Sequence, residues 1–414
     1  MPQQSSFPYT IIDGFAGELT ETYCSRLEIP PEFMYIGFLT CLGSLLARSL
    51  TIATEIRPQP RIYTLLLGES ADERKSTAIE KIIEFFDYAL KKEEDKEQKN
   101  NDNDNTTIVV KNTGVLDPSL RLHVCLGAGS AEGLAKKLEN KNLLLCYDEF
   151  KAFISKAKIR NSTLLQCVNS LFESNRYENQ TSKSQIIIKN GRLSLLAAST
   201  TQTYEAAWDK SFTAIGFNNR LFIVPGSAER KHSVPLEIPD REKQRLSNGL
   251  YKILNFVGVF RELTITKSAR RLFHEWYMNR PSSPHSKRLD GYALRFMELF
   301  AVNKMVSVID ESIVNNAIEL MDWQFEMRQL HDPIDADNVI AKMEEKIRRT
   351  LLSCRDKKTG KIKALTDREL KQTTNANRTG LYFYGLALKN LQVSHEIVFD
   401  AKTRSWSSID EEKD

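Results

Sequence analysis

Two short stretches carry residue types that could do chemistry together. The first is Leu67-Gly68-Glu69-Ser70-Ala71-Asp72-Glu73-Arg74-Lys75-Ser76-Thr77, a polar turn between an apolar run and a helical pattern. A phosphate-binding loop needs inward-facing backbone N–H groups, a lysine for the terminal phosphates and a Ser or Thr hydroxyl for Mg²⁺. Lys75 and Ser76 supply the last two, with Gly68, Arg74 and Thr77 completing the candidate set. The loop departs from G-x-x-x-x-G-K-[ST]: Gly68 stands seven residues before Lys75, and Arg74 occupies the place of the second glycine. A charged helix cap is the competing reading.

The second stretch is Asn142-Leu143-Leu144-Leu145-Cys146-Tyr147-Asp148-Glu149, an apolar strand that ends in two acids. Set beside the loop, Asp148 would orient Mg²⁺ and Glu149 would polarise an attacking water. Exposed acids that simply end a strand are the alternative. Two further positions belong to the same expectation. Thr200, with Thr201 and Gln202 beside it, follows the run Leu193–Ala198 and is a candidate for the water or γ-phosphate, or else caps the next helix. Arg220, in Gly216-Phe217-Asn218-Asn219-Arg220-Leu221-Phe222, is a candidate to stabilise charge in a neighbouring subunit's site, or else a structural cation. Arg295 is considered as a nucleotide contact, with a structural role favoured.

The elements that must position these groups are legible as patterns. Arg61–Leu67, Thr107–Val110, Leu122–Leu126, Leu143–Tyr147, Leu193–Ala198 and Leu221–Val224 read as short strands, alternating in part with helices at Ser76–Leu90 and Ala131–Leu138. Ile79, Ile82, Ile83, Phe86 and Leu90 share one helical stripe. Such alternation predicts an α/β fold with a mostly parallel sheet. Residues 10–55 read as helical, with Phe33–Leu50 packed inside; Lys91–Asn105 has no apolar residue and reads as an exposed loop. Residues 236–335 read as helical, with segments at Asp240–Phe256, Ser268–Met278, Asp290–Val306 and Glu311–Leu330. The tail reads as three helices and a hairpin, with Thr366 as a cap, a pattern suggesting a winged helix or a protein-docking module of that shape.

Charge is unevenly distributed over the 414 residues, whose formal net charge is only +4. Residues 339–409 hold 15 Lys/Arg against 7 Asp/Glu, and residues 151–192 hold eight against two. Two basic regions on a nearly neutral body suit a nucleic-acid binder, since phosphate contacts dominate non-specific affinity; ordinary solvated surface is the bland alternative. The candidate DNA contacts are Lys156, Lys158, Arg160 and Lys183 for a single strand, and Lys371, Arg378, Lys389, Lys402 and Arg404 in the tail. Six dispersed cysteines without C-x-x-C pairing, six scattered histidines, no basic-then-apolar leader and no apolar run approaching 20 residues predict a cytoplasmic protein with reduced thiols, no structural metal and no membrane span.

Together these stretches resemble a family of P-loop ATPases of phages and mobile elements, a domain-of-unknown-function family linked to primase–helicase systems. The resemblance covers roughly residues 8–330. It rests on Pro30-Pro31-Glu32-Phe33-Met34, Gly68…Arg74-Lys75-Ser76, Gly129-Ser130-Ala131-Glu132-Gly133-Leu134-Ala135, Leu145-Cys146-Tyr147-Asp148-Glu149-Phe150 and Gly216–Phe222. It implies a RecA- or AAA-like core at 61–235, an N-terminal helical region at 1–60 and a helical lid at 236–335. A winged-helix domain at 336–409 and an acidic tail at 410–414 complete the expected organisation. The expected function is an ATP- and Mg²⁺-dependent DNA motor, a ring-forming replicative helicase acting as a homo-oligomer such as a hexamer, beside a primase or polymerase. Two alternatives stand next to it: an ATP-gated initiator or helicase loader without unwinding activity, and a signalling ATPase.

Overall fold

The computed structural model describes residues 6–69, 74–103, 121–180, 185–207, 212, 215–228, 231–331, 339–353 and 364–409, with the backbone alone for 91–103 and 353. The expected strand at Thr107–Val110, Lys183, Cys354 and the acidic tail lie outside the described residues. The chain divides into two compact units, one formed by Phe7–Met327 and the other by Arg328–Asp414 with Met1–Ser6.

The first unit opens with α1 (Gly14–Leu27) and α2 (Pro31–Leu46), followed by β1 (Leu50–Ile52), β2 (Tyr63–Gly68) and α3 (Lys75–Asn103). Next come β3 (Val124–Leu126), α4 (Ala131–Leu138), β4 (Asn142–Tyr147), α5 (Phe150–Ala157) and α6 (Leu164–Ser170). The hairpin strands β5 (Tyr177–Gln180) and β6 (Gln185–Ile188) precede β7 (Arg192–Thr200), α7 (Thr201–Ala207) and β8 (Phe222–Pro225). The unit continues through α8 (Asp240–Val257), β9 (Arg261–Ile265), α9 (Lys267–Asn279), α10 (Leu289–Asn303) and β10 (Val308–Ile309), and ends at Met327 within α11 (Glu311–Leu330).

Five strands form the central sheet in the order β3-β4-β7-β2-β8, every pair parallel. Every residue of β2 is buried, as are the interior of β7 and all of β4 after Asn142. Successive side chains on a strand point to opposite faces, so such continuous burial requires cover on both faces. α2 provides part of it. All its residues after Pro31 are buried, and it packs against β2, β4, β7 and β8. Gly43 permits this approach, since a Cβ there would lie 1.9 Å from the Pro60 carbonyl oxygen. The apolar run of α2 is therefore core, as its sequence predicts.

Three sequence expectations need correction here. Lys91–Asn103 is helical, a continuation of α3 rather than a loop. Once a helix is nucleated, each added residue gains a hydrogen bond, and Lys, Glu and Gln are good helix formers without any apolar stripe. Residues 10–55 are not wholly helical, because Leu50–Ile52 is a strand. In residues 236–335 the four expected segments are helices, but two short strands lie in the gaps between them. β9 pairs in parallel with both β1 and β10, giving a second sheet of order β1-β9-β10. Through it the N-terminal region and the late helical region are stitched together within one compact unit.

The second unit contains α12 (Val339–Ser353), β11 (Leu365–Thr366), α13 (Asp367–Thr373), the single turn α14 (Ala376–Thr379), α15 (Leu381–Val393), β12 (Ile397–Asp400) and β13 (Ser405–Ser408). Met343, Ile347 and Leu351 recur every four residues on α12 and meet Leu370, Tyr384, Ala387, Leu388, Leu391, Ile397 and Trp406 in one core. The strands are antiparallel in the order β11-β13-β12. Thr366 caps α13 in a capping box with Glu369, as expected from the sequence. No helix among the described residues is long and apolar enough to cross a membrane.

Candidate functional site

Because the five strands are parallel, their C-terminal ends gather on one edge of the sheet, where open α/β folds bind ligands. Gly68 ends β2 and pairs in register with Thr200 at the end of β7; Tyr147, at the end of β4, pairs with Ala197. Asp148 and Glu149 follow Tyr147 directly and are exposed. The acids therefore share an edge with Gly68, but β7 lies between their strand and β2. The expectation that the acid strand adjoins the loop is corrected accordingly. With strands about 4.8 Å apart, the two flanking strand ends are separated by about 10 Å. Glu149 is the N-cap residue of α5, yet its carboxylate makes no capping hydrogen bond.

Lys75 and Ser76 open α3, and Ser76 is exposed. The Lys75 ammonium donates to the Glu69 carbonyl oxygen at 2.5 Å, folding back over the start of the loop. Arg74 has φ +49°, the left-handed conformation for which the glycine of a regular phosphate loop is suited, and its carbonyl accepts from Ala78 N–H at 2.8 Å. An L-residue there costs about 1–2 kcal/mol. Its guanidinium is anchored instead, by a 3.3 Å ion pair to Glu28, whose side chain is nearly buried. Glu28 also accepts the backbone N–H groups of Lys231 and His232. Those two bonds, followed by Arg74, hold its carboxyl down to about 2. Sequence reasoning missed Glu28: it lies 46 residues from Arg74, beyond any local pattern.

The motif Pro30-Pro31-Glu32-Phe33 lies behind the same edge. Gly226 donates to the Leu67 carbonyl at 3.0 Å, extending the β2–β8 pairing, and a Cβ on it would meet Phe33 and Glu32 within 2.8 Å. Thr200 is engaged as a cap of α7: its Oγ1 accepts from Thr203 N–H at 3.0 Å, and its hydroxyl donates to Thr203 Oγ1 at 2.8 Å.

The opposite edge holds the arginines. Arg220 precedes β8, so it lies at the N-terminal end of the sheet. It donates to the Gly216 carbonyl at 2.9 Å, and burial, with Arg288 adding to it, lowers its pKa. Arg295 is buried on the same side, donating to the carbonyls of Arg61 at 2.7 Å and Phe172 at 2.9 Å, with its guanidinium 4.1 Å from the Phe172 ring centre. Arg61 is buried as well and donates to the Leu171 and Glu173 carbonyls; burial first, then Arg295, lowers its pKa to about 9. These cations neutralise carbonyls at the C-terminal end of α6. The structural role favoured for Arg295 is the one its contacts describe.

Among the candidate strand contacts, Lys156, Lys158 and Arg160 are exposed, and Lys158 also donates to the Ala207 carbonyl at 2.7 Å and lies over the Phe212 ring. In the second unit Arg378, Lys389, Lys402 and Arg404 are exposed; Lys371 pairs with Asp367 at 2.5 Å. Among the described residues no group of three or more His, Cys, Asp or Glu could hold a metal ion, and the five described cysteines are free thiols. No protein-family model matches the chain, and no curated protein is significantly similar to it.

Proposed function

We propose that the chain is a Mg²⁺-dependent ATPase coupled to DNA, working as an oligomeric motor of the helicase type on a P-loop core. One observation carries this reading: parallel strands in the order β4-β7-β2 end on a single sheet edge at Tyr147, Thr200 and Gly68, with Asp148-Glu149 directly after the first and Lys75 bonded back to Glu69 after the last. We take the roughly 10 Å between the two flanking strand ends as the span for a phosphate chain. Ser76 and Asp148 offer the hydroxyl and carboxylate oxygens that Mg²⁺ prefers, with phosphate and water oxygens completing its shell. When bound, the ion would neutralise phosphate charge. Lys75 leaves Glu69 to bind the terminal phosphates, Thr77 and the amides at the start of α3 support them, and Glu149 orients the attacking water.

Arg220 stands at the far edge, about 20 Å from Gly68 by the length of a six-residue strand. On this reading it serves a neighbouring copy's nucleotide in a head-to-tail ring such as a hexamer. The second unit fits a winged helix: α13 and α15 form the helix pair, and the β12–β13 hairpin carries Lys402 and Arg404 at its exposed turn. Lys156 and Arg160, and the basic tail residues, are the groups assigned to DNA.

ATP turnover with and without single-stranded DNA, followed by separation of a forked duplex, tests the motor. DNA-stimulated turnover with unwinding is expected. DNA binding without unwinding would instead support the initiator or loader reading, and turnover indifferent to DNA the signalling one. Lys75→Ala and Glu149→Gln should each abolish turnover. Arg220→Ala should also do so, and mixing it with Lys75→Ala should recover part of the activity, since each supplies what the other lacks across the boundary.

A further inference from the structure

The Arg74–Glu28 contact is more than a surface ion pair. Glu28 follows the end of α1 and is itself in the left-handed region, with φ 54° and ψ 31°, which turns its side chain inward. One carboxylate oxygen takes the N–H groups of Lys231 and His232, and the other takes the Arg74 guanidinium. The His232 ring in turn lies 3.1 Å from the Ser25 carbonyl oxygen, holding the later segment against α1. That segment leaves the C-terminal end of β8, where Gly226 bonds to Leu67 beside Gly68. One carboxylate thus joins three separate pieces: the end of α1, the chain after β8 and the residue just before α3.

We propose that Glu28 is a positioning residue for the nucleotide loop, holding Arg74 in the left-handed conformation that aims Lys75 and Ser76. The inference rests on the nucleotide reading of that edge. A glycine at position 74 adopts this conformation without strain, whereas an arginine there is strained, and the bond to Glu28 offsets that strain, so the irregular loop and the distant acid compensate each other. The arrangement also makes the loop sensitive to the segment at Lys231–His232, because all three contacts share one carboxylate.

A double-mutant cycle on the full chain tests this, with a non-hydrolysable ATP analogue and Mg²⁺ titrated calorimetrically. Glu28→Gln should weaken the Kd about tenfold in the Arg74 background and less than about twofold in the Arg74→Gly background. An equal effect in both backgrounds, or none in the first, overturns the proposal. Thermal unfolding serves as the control, since a purely structural role would lower Tm equally in both backgrounds and leave Kd alone. Amide exchange gives a readout without nucleotide. In Glu28→Gln the amides of Lys231, His232 and Ala78 should all exchange faster, and loss confined to Lys231 and His232 overturns the tether. A parental chain that binds no nucleotide overturns the ATPase reading and this inference with it. A parental chain that binds while Glu28→Gln binds equally well overturns the inference alone.

Discussion

Gly68 and Thr200 are register partners at the last rung of the β2–β7 ladder. That pairing puts a hydroxyl-bearing strand end between the start of the loop and the strand that delivers Asp148 and Glu149. The Thr200 hydroxyl is itself committed to Thr203, at the start of α7.

Replacing Thr200 by valine keeps its shape and removes the cap. The expected cost is about 1 kcal/mol of stability, with Thr200→Ser restoring it. Urea unfolding of both variants checks the value.

Arg295 satisfies two buried carbonyls and stacks on Phe172. Arg295→Met fills similar volume but strands those acceptors, at an expected cost of about 2–4 kcal/mol. Because Arg295 belongs to the opposite edge, nucleotide affinity of the folded variant should stay within about twofold of the parent. Denaturation and calorimetric titration together check this.

Glu298 on α10 is fully buried, and desolvation pushes its carboxyl well above the usual range, although the Arg295 charge and the Ile52 backbone pull the other way. The folded chain therefore retains a proton that the unfolded chain releases near its ordinary value of about 4.3. Stability from this group is present below that value and declines as pH rises above it towards the folded pKa. Glu298→Gln should remove the decline and exceed the parent in stability at pH 8. Unfolding midpoints of both chains from pH 4.5 to 8 report it.

In the second unit, Thr366 accepts from Glu369 N–H while the Glu369 carboxylate takes the Thr366 N–H at 2.8 Å. Thr366→Ala should reduce the local stability of α13 by about 1 kcal/mol, read as faster amide exchange in its first turn.

Local structure was legible in the chain alone. The strands ending at Gly68 and Tyr147, the buried α2, the helix opening at Lys75-Ser76 and the Thr366 cap each depend on residues a few positions apart, where periodicity and capping act. The helical continuation through Lys91–Asn103 escaped because it has propensity but no apolar period. The strands β9 and β10 are short and interrupt helical sequence, so their pairing with β1 had no local sign.

Tertiary structure alone decided the strand order that inserts β7 between β2 and β4, the separation of Arg220 from the acidic edge, and the capture of Arg74 by Glu28. Each depends on which distant segments bury against one another, and backbone hydrogen bonds between strands are the same for any partner. Arg74, left-handed just before α3, meets a carboxylate 46 residues away in sequence, and only the folded core brings the two together.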